Sequence, residues 1–257
     1  MKRKLLVIGI GAGNPDYVTV QAVNALNRVD VFFIPDKGVE KKELSRIRRD
    51  ICERFITDPR YRLVDFETPR RDGSSSDYRA GIRDWHDRVE AAYERLLMQQ
   101  LGEDECGAFL VWGDPSLYDS TIRILDRLNA KGGIELDYDV IPGITSIQAL
   151  AARHRVVLNR IGESITITTG RKLAEGFPNT SESIVVMLDG EGAFRRIEED
   201  ADIYWGAYLG TEDEILVAGK LRDVVDEIER LRDAARARKG WIMDSYLLKT
   251  PAAGRGD

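Results

Sequence analysis

Histidine and cysteine are scarce in this chain: His86 and His154, Cys52 and Cys106, are the only ones in 257 residues. The cysteines are far apart and form no CxxC pair, which favours reduced thiols over a disulfide. With so few nitrogen and sulfur ligands, a zinc site would rest mostly on carboxylates, and we exclude it. No apolar stretch approaches the roughly 18 residues that a membrane helix needs. Positive charge is not in excess either. Thirty-eight Lys and Arg stand against 44 Asp and Glu, a net charge of −6, which disfavours an extended nucleic-acid surface but leaves room for a local basic pocket. The start, Met1-Lys2-Arg3-Lys4 followed by Leu5 to Ile10, has the look of a signal peptide. The apolar run stops in Gly11-Ala12-Gly13-Asn14-Pro15, too soon for one. It reads as a buried first strand of a cytoplasmic protein.

Strand-like runs and helix-period segments alternate through the first half. Leu5–Ile10, Val31–Ile34, Leu63–Phe66, Ala108–Trp112 and Tyr138–Ile141 read as strands. Between them, apolar residues at Leu44, Ile47, Ile51 and Phe55, and at Trp85, Val89, Tyr93, Leu96 and Leu97, fall on single helical faces. This is the pattern of a parallel sheet covered by helices. The second half is richer in strand, with candidates at Ile165–Thr169, Ile184–Leu188, Ile203–Tyr208, Ile215–Ala218 and Trp241–Leu248 and one amphipathic helix from Val224 to Ala235. A mixed sheet follows. The fold class is therefore α/β in two domains, 1–152 and 153–250, with a flexible tail at 251–257.

Three motifs carry candidate chemistry. Gly9-Ile10-Gly11-Ala12-Gly13-Asn14-Pro15-Asp16 follows the first strand. Its glycines permit positive φ and close backbone approach, either to a ligand or simply within a tight turn. The spacing departs from the dinucleotide fingerprint GxGxxG, and the acid expected at the end of the second strand is misplaced: Asp30 precedes that strand and Asp36 follows Pro35. Val111-Trp112-Gly113-Asp114-Pro115-Ser116-Leu117-Tyr118 ends another buried strand, where ligands of open α/β sheets collect. A carboxylate and carbonyls there suit a cation such as a sulfonium, although Gly-Asp-Pro is also an ordinary turn. Ile141-Pro142-Gly143-Ile144-Thr145-Ser146 places two hydroxyls at a helix start, as caps or as ligand donors.

Taken in order, GIGAGNPDYVTVQA, VWGDPSLYDS, VIPGITSIQALAA, VVMLDG and YLGTEDEILVAGKL resemble the tetrapyrrole methyltransferases, the class III fold of S-adenosylmethionine enzymes. The insert holding DFETPRRDG and DYRAGIRDWHDRVEAAYERLL resembles the branch that methylates C-1 of precorrin-5 with loss of acetate. The resemblance implies an active site in the cleft between two α/β domains. It implies S-adenosylmethionine contacts at Ala12, Trp112, Gly113, Asp114, Leu117, Thr145, Ser146, Met187 and Gly210, and a homodimer. Many relatives have Pro at the position of Ala12 and a small residue at that of Trp112. By its own context, Met187 in Val185-Val186-Met187-Leu188 reads as core packing. A polyanionic tetrapyrrole needs cations, and Arg70, Arg71, Arg79, Arg83, Arg153, His154 and Arg155 are the candidates, each equally readable as solvated surface charge. Deacetylation needs a water and a base, for which Asp16, Asp114, Tyr118 and His154 are the candidates. The alternatives are methylation at another corrin position, a diphthine synthase-like activity, a nicotinamide oxidoreductase and a non-enzymatic binding module.

Overall fold

The computed structural model describes residues 2–36, 42–69, 78–178 and 183–250, with side chains described outside 42 and 78–83. The chain divides into two compact units, Met1–Thr145 and Ser146–Asp257.

The first unit is a five-stranded, fully parallel sheet. In chain order it comprises β1 (Lys2–Gly9), α1 (Val20–Leu26), β2 (Val31–Asp36), α2 (Lys42–Phe55), β3 (Arg62–Glu67), α3 (Tyr78–Gln100), β4 (Cys106–Val111), α4 (Thr121–Lys131) and β5 (Glu135–Ile141). The strand order is β3-β2-β4-β1-β5. Strand side chains alternate between faces, and both faces are apolar, as a parallel sheet clad in helices requires. Leu5, Val7, Phe33, Phe109 and Val111 pack against Val89, Tyr93 and Leu97 of α3 and Ile124, Leu125 and Leu128 of α4. Leu6, Ile8, Phe32, Ile34, Ala108 and Leu110 pack on the other side against Ala22, Ala25 and Leu26 of α1 and Ile51 and Cys52 of α2. The chain leaves β1 toward β2 and leaves neighbouring β4 toward β5 on the opposite side. The carboxyl ends of β1 and β4 are therefore a topological switch point, where such sheets open a crevice.

Local signals set the boundaries. The first helix begins at Val20, because the Thr19 hydroxyl accepts from the Ala22 N–H at 3.1 Å and caps it there. Gly132 ends α4 in the left-handed conformation, φ +74°.

The second unit comprises α5 (Ser146–His154), β6 (Ile165–Thr169), α6 (Gly170–Glu175), β7 (Ser183–Met187), β8 (Asp202–Ala207), β9 (Ile215–Lys220), α7 (Leu221–Lys239) and β10 (Asp244–Lys249). Its sheet runs β6-β7-β10-β8-β9. Only β6 and β7 are parallel; the other three pairings are antiparallel, so the sheet is mixed. The unit boundary lies after Thr145 rather than after residue 152, because α5 packs on β10 and β8. The segment 251–257 lies outside the described residues. Helix α6 is too short for a periodic pattern to announce it.

Gly107 in β4 is a packing constraint. A Cβ there would stand 2.9 Å from Leu5 Cδ2, 2.9 Å from Phe33 Cε2 and 3.1 Å from Leu101 Cδ2. Gly107→Val overpacks a central strand and is expected to cost about 2–3 kcal/mol. Urea unfolding should show a lower midpoint at unchanged slope; an unchanged midpoint would contradict this packing.

Candidate functional site

Three loops of the first unit meet where β1, β4 and β5 end, and they meet through backbone. Gly11 and Gly113 form an antiparallel bridge, with the Gly113 N–H donating to the Gly11 carbonyl at 2.9 Å and the Gly11 N–H returning to the Gly113 carbonyl at 3.3 Å. The Ile10 N–H donates to the Val111 carbonyl at 2.9 Å. A Cβ on Gly9 would fall 2.6 Å from the Gly143 nitrogen and 2.9 Å from the Gly113 oxygen, and a Cβ on Gly143 would overlap that same oxygen. Gly113 stands at φ +69°, with Thr145 Cα 3.6 Å from where its Cβ would be. Glycine is required at these positions because the backbones occupy the space side chains would take.

Asp114 fastens the arrangement. One carboxylate oxygen accepts from the Gly143 N–H at 2.8 Å; the other accepts from the Ser116 N–H at 2.8 Å and from the Ser116 hydroxyl. Burial raises its pKa, but the Ser116 hydroxyl and the Gly143 and Ser116 amides outweigh that and hold the carboxyl below its ordinary value. Asp114 is thus an ionised staple between two strand-end loops.

The other expected residues of this unit surround the junction. Trp112 and Leu117 are half-buried, Thr145 is buried, and Ala12 is 1% exposed. Tyr118 is 43% exposed at φ +53°, and its hydroxyl has no hydrogen-bond partner among the described residues. Partial burial raises its pKa, so it is protonated at neutral pH. Asp16 pairs with Arg54 at 2.5 Å.

Asp36 is the last residue of β2, the place where a nicotinamide enzyme carries its ribose acid. Here, however, β4 lies between β1 and β2, and the Gly11 amide is already bonded to the Gly113 carbonyl. The glycine loop is a packing device, not a diphosphate cradle. A groove of about 840 Å³ runs beside β3 and α3, lined by Asp65, Glu67, Arg88 and Arg95 among others. β2 and β4 separate it from β1, so it is not this site.

The second unit also gathers its candidates at one edge. Met187 ends β7, half-buried, opposite Ser245 in the β10 register. The Ser245 hydroxyl lies 3.2 Å from that of Ser146. Gly210, φ +76°, donates its N–H to Glu214 Oε2 at 2.9 Å, and Glu214 Oε1 accepts from Arg153 Nε at 2.6 Å. Arg153 is therefore ion-paired beside Gly210. His154 donates through Nε2 to the Trp205 carbonyl at 3.0 Å, and burial depresses its pKa. Arg70 and Arg71 lie outside the described residues, as do the side chains of Arg79 and Arg83.

Two features were missed in the sequence. Arg48 of α2, 5% exposed, donates through Nε to the Leu110 carbonyl at 2.9 Å, just beyond the last β2–β4 pair at Phe33 and Phe109. Burial brings its pKa down to about 10. A polar residue in a solvated helix pattern gives no sign of this. The second is a set of bulky residues at positive φ: Leu188 and Tyr208 directly follow β7 and β8, and Tyr118 lies in the loop after β4, and strain of this kind clusters at functional sites.

Comparison with known proteins agrees with this geometry. A family model described as Tetrapyrrole (Corrin/Porphyrin) Methylases matches residues 4–225. Precorrin-6A synthase (deacetylating) of Sinorhizobium sp is 56% identical over 251 residues, covering 97% of this chain and 96% of that protein. The crystal structure of CobF from Corynebacterium diphtheriae, described as related to cobalamin synthesis, superposes with a TM-score of 0.83 at 36% identity, covering 97% of this chain and 99% of that one. A uroporphyrin-III C-methyltransferase from Thermus thermophilus, solved with S-adenosyl homocysteine, shares the fold at a TM-score of 0.57 and 15% identity, covering 96% and 92%. The chain belongs to the tetrapyrrole (corrin/porphyrin) methylases.

Proposed function

We propose that this protein is an S-adenosylmethionine-dependent C-methyltransferase of cobalamin biosynthesis that methylates precorrin-5 at C-1 and releases acetate, giving precorrin-6A. The observation that carries this reading is the 56% identity to precorrin-6A synthase over nearly the whole of both chains.

The residues suit the cofactor. A sulfonium nucleoside has no diphosphate, so it needs neither free amides in the glycine loop nor a cation beside it. The Gly11 amide is spent within the fold and Arg54 is spent on Asp16. An ionised Asp114 next to exposed Tyr118 and half-buried Trp112 and Leu117 offers the negative charge and apolar surface that a sulfonium favours. Ala12, Trp112, Gly113, Asp114, Leu117, Thr145, Ser146, Met187 and Gly210 are the proposed contacts. When bound, the cofactor supplies an already activated methyl group for in-line displacement.

The protein's share is then alignment and exclusion of water. The stapled strand-end loops fix the donor pocket. Arg70, Arg71, Arg153 and His154 are the proposed partners of substrate carboxylates. Loss of acetate requires water to add to the acetyl carbonyl and a hydrogen-bond donor for the oxyanion formed there; the protons of the water are released, and the electron pair of the broken C–C bond is taken up by the incoming methyl group. Of the candidate groups, Asp114 and Asp16 are occupied by their hydrogen-bond and ion-pair partners, and His154 Nε2 by the Trp205 carbonyl. The Tyr118 hydroxyl is exposed, protonated and unengaged among the described residues, so we assign it the donor's role. The protein is further proposed to be a cytoplasmic homodimer. Among the described residues no helix is long and apolar enough to cross a membrane.

Incubation with precorrin-5 and S-adenosylmethionine should yield a product that has gained CH2 and lost C2H2O, read by mass spectrometry. Turnover of a different precorrin, without loss of the acetyl group, would contradict the assignment and point to another corrin position. Tyr118→Phe should lower kcat about 100-fold, within the range of one lost oxyanion donor, while S-adenosylhomocysteine affinity stays unchanged. An unaltered kcat would remove Tyr118 from the chemistry.

A further inference from the structure

The motif VVMLDG contains an aspartate, Asp189, that methyl transfer itself does not use. Asp189 follows β7 and is 4% exposed. Its carboxylate accepts four hydrogen bonds: from the Gly192 and Glu191 amides at 2.8 and 3.2 Å, from the Ala193 amide at 2.7 Å, and from the Tyr246 hydroxyl at 2.7 Å. Room for it exists because Gly170 has no Cβ; one there would overlap the carboxyl group.

The main chain at Asp189 is held as well. Arg232 of α7, 1% exposed, donates through Nη2 to the Asp189 carbonyl and through Nε to Asp244 Oδ2 at 2.8 Å. One turn later, Arg236 donates to the Gly190 carbonyl at 2.9 Å. Burial, and then the Asp189 charge, push the Tyr246 pKa far up, so its hydroxyl remains a donor.

This much fixation acts on a loop whose preceding residue is strained. Leu188 is 64% exposed at φ +52°, a conformation that bulky L-residues adopt only when their surroundings impose it. A leucine that merely filled the core would be buried and in an ordinary conformation.

We propose that Asp189, gripped by Tyr246 and Arg232, is a positioning residue that locks Met187 and Leu188 into the shape that receives the apolar part of the cofactor, with exposed Leu188 as a further contact. The proposal rests on Met187 being a cofactor contact, as assigned above. Burying a cation against the Asp244 carboxylate and a main-chain carbonyl is expensive as a means of stability alone. Its return is one fixed geometry for the loop.

Asp189→Asn would place an amide donor among donors and risks unfolding, so the test uses Tyr246→Phe, which removes one hydrogen bond and keeps the ring. A packing control, Ile203→Val in β8, trims the same core without touching Asp189. Titration calorimetry with S-adenosylhomocysteine should show affinity about tenfold weaker for Tyr246→Phe, the consequence of one lost hydrogen bond to a charged group. The KM for S-adenosylmethionine should rise in step, with kcat and the tetrapyrrole KM near wild type. Ile203→Val should lower Tm and leave the affinity unchanged. If both variants lose affinity in proportion to stability, or if folded Tyr246→Phe binds as wild type does, the positioning role is overturned. Wild-type protein that binds no S-adenosylhomocysteine overturns the reading of the site, and this inference with it.

Discussion

At the carboxyl edge of the first sheet, the Gly113 carbonyl occupies the space where any other residue at 143 would carry its Cβ, and Gly9 closes on both from β1. The first unit's share of the proposed site depends on this three-way backbone contact. It brings the loops after β1, β4 and β5 to one point, and Asp114 spans two of them by accepting from the Gly143 amide. The sequence GIGAG is therefore explained by packing of peptide on peptide. The same contact distinguishes the site from a dinucleotide fold, whose glycine amides must stay free for phosphate.

The second unit reaches a comparable end by different means. Gly170 leaves room for the Asp189 carboxyl group, and a buried charged network fixes the loop after β7, with Arg232 between the Asp189 carbonyl and the Asp244 carboxylate. Burial raises the Asp244 pKa, and the guanidinium only partly offsets this, so the network carries an electrostatic cost. In both units a motif aspartate, Asp114 in the first and Asp189 in the second, is engaged as an acceptor for backbone amides. Tyr118 differs from them in presenting an uncommitted polar group to solvent.

Much of this fold is legible in the sequence, because buried parallel strands read as continuous apolar runs. Leu5–Ile10 and Ala108–Trp112 are found that way, and the Val89, Tyr93 and Leu97 stripe gives α3. Strand order is not legible. Nothing local says that β4 inserts between β1 and β2, yet this insertion separates Asp36 from the glycine loop. The role of Asp114 is hidden for a related reason: its partner Gly143 is 29 residues away. The motifs Gly-Asp-Pro and Pro-Gly each look like turns until the sheet brings them together. The boundary after Thr145 escapes a reading that follows hydrophobic periodicity, because α5 continues the βα rhythm of the first half while packing on the second sheet. Arg48 and Arg232 lie on helices whose charge pattern suggests solvent, and only tertiary burial gives them partners.

The approach of Gly143 to Gly113 is what shapes the proposed cofactor pocket. The most direct measurement is S-adenosylhomocysteine affinity of Gly143→Ala by calorimetry, alongside its circular dichroism and Tm. The added methyl meets backbone, which cannot rotate away. The predicted result is a folded protein whose affinity falls more than about tenfold, since prising the loops apart should cost at least ~1.4 kcal/mol of binding. A folded Gly143→Ala protein that binds as tightly as the wild type would contradict the account.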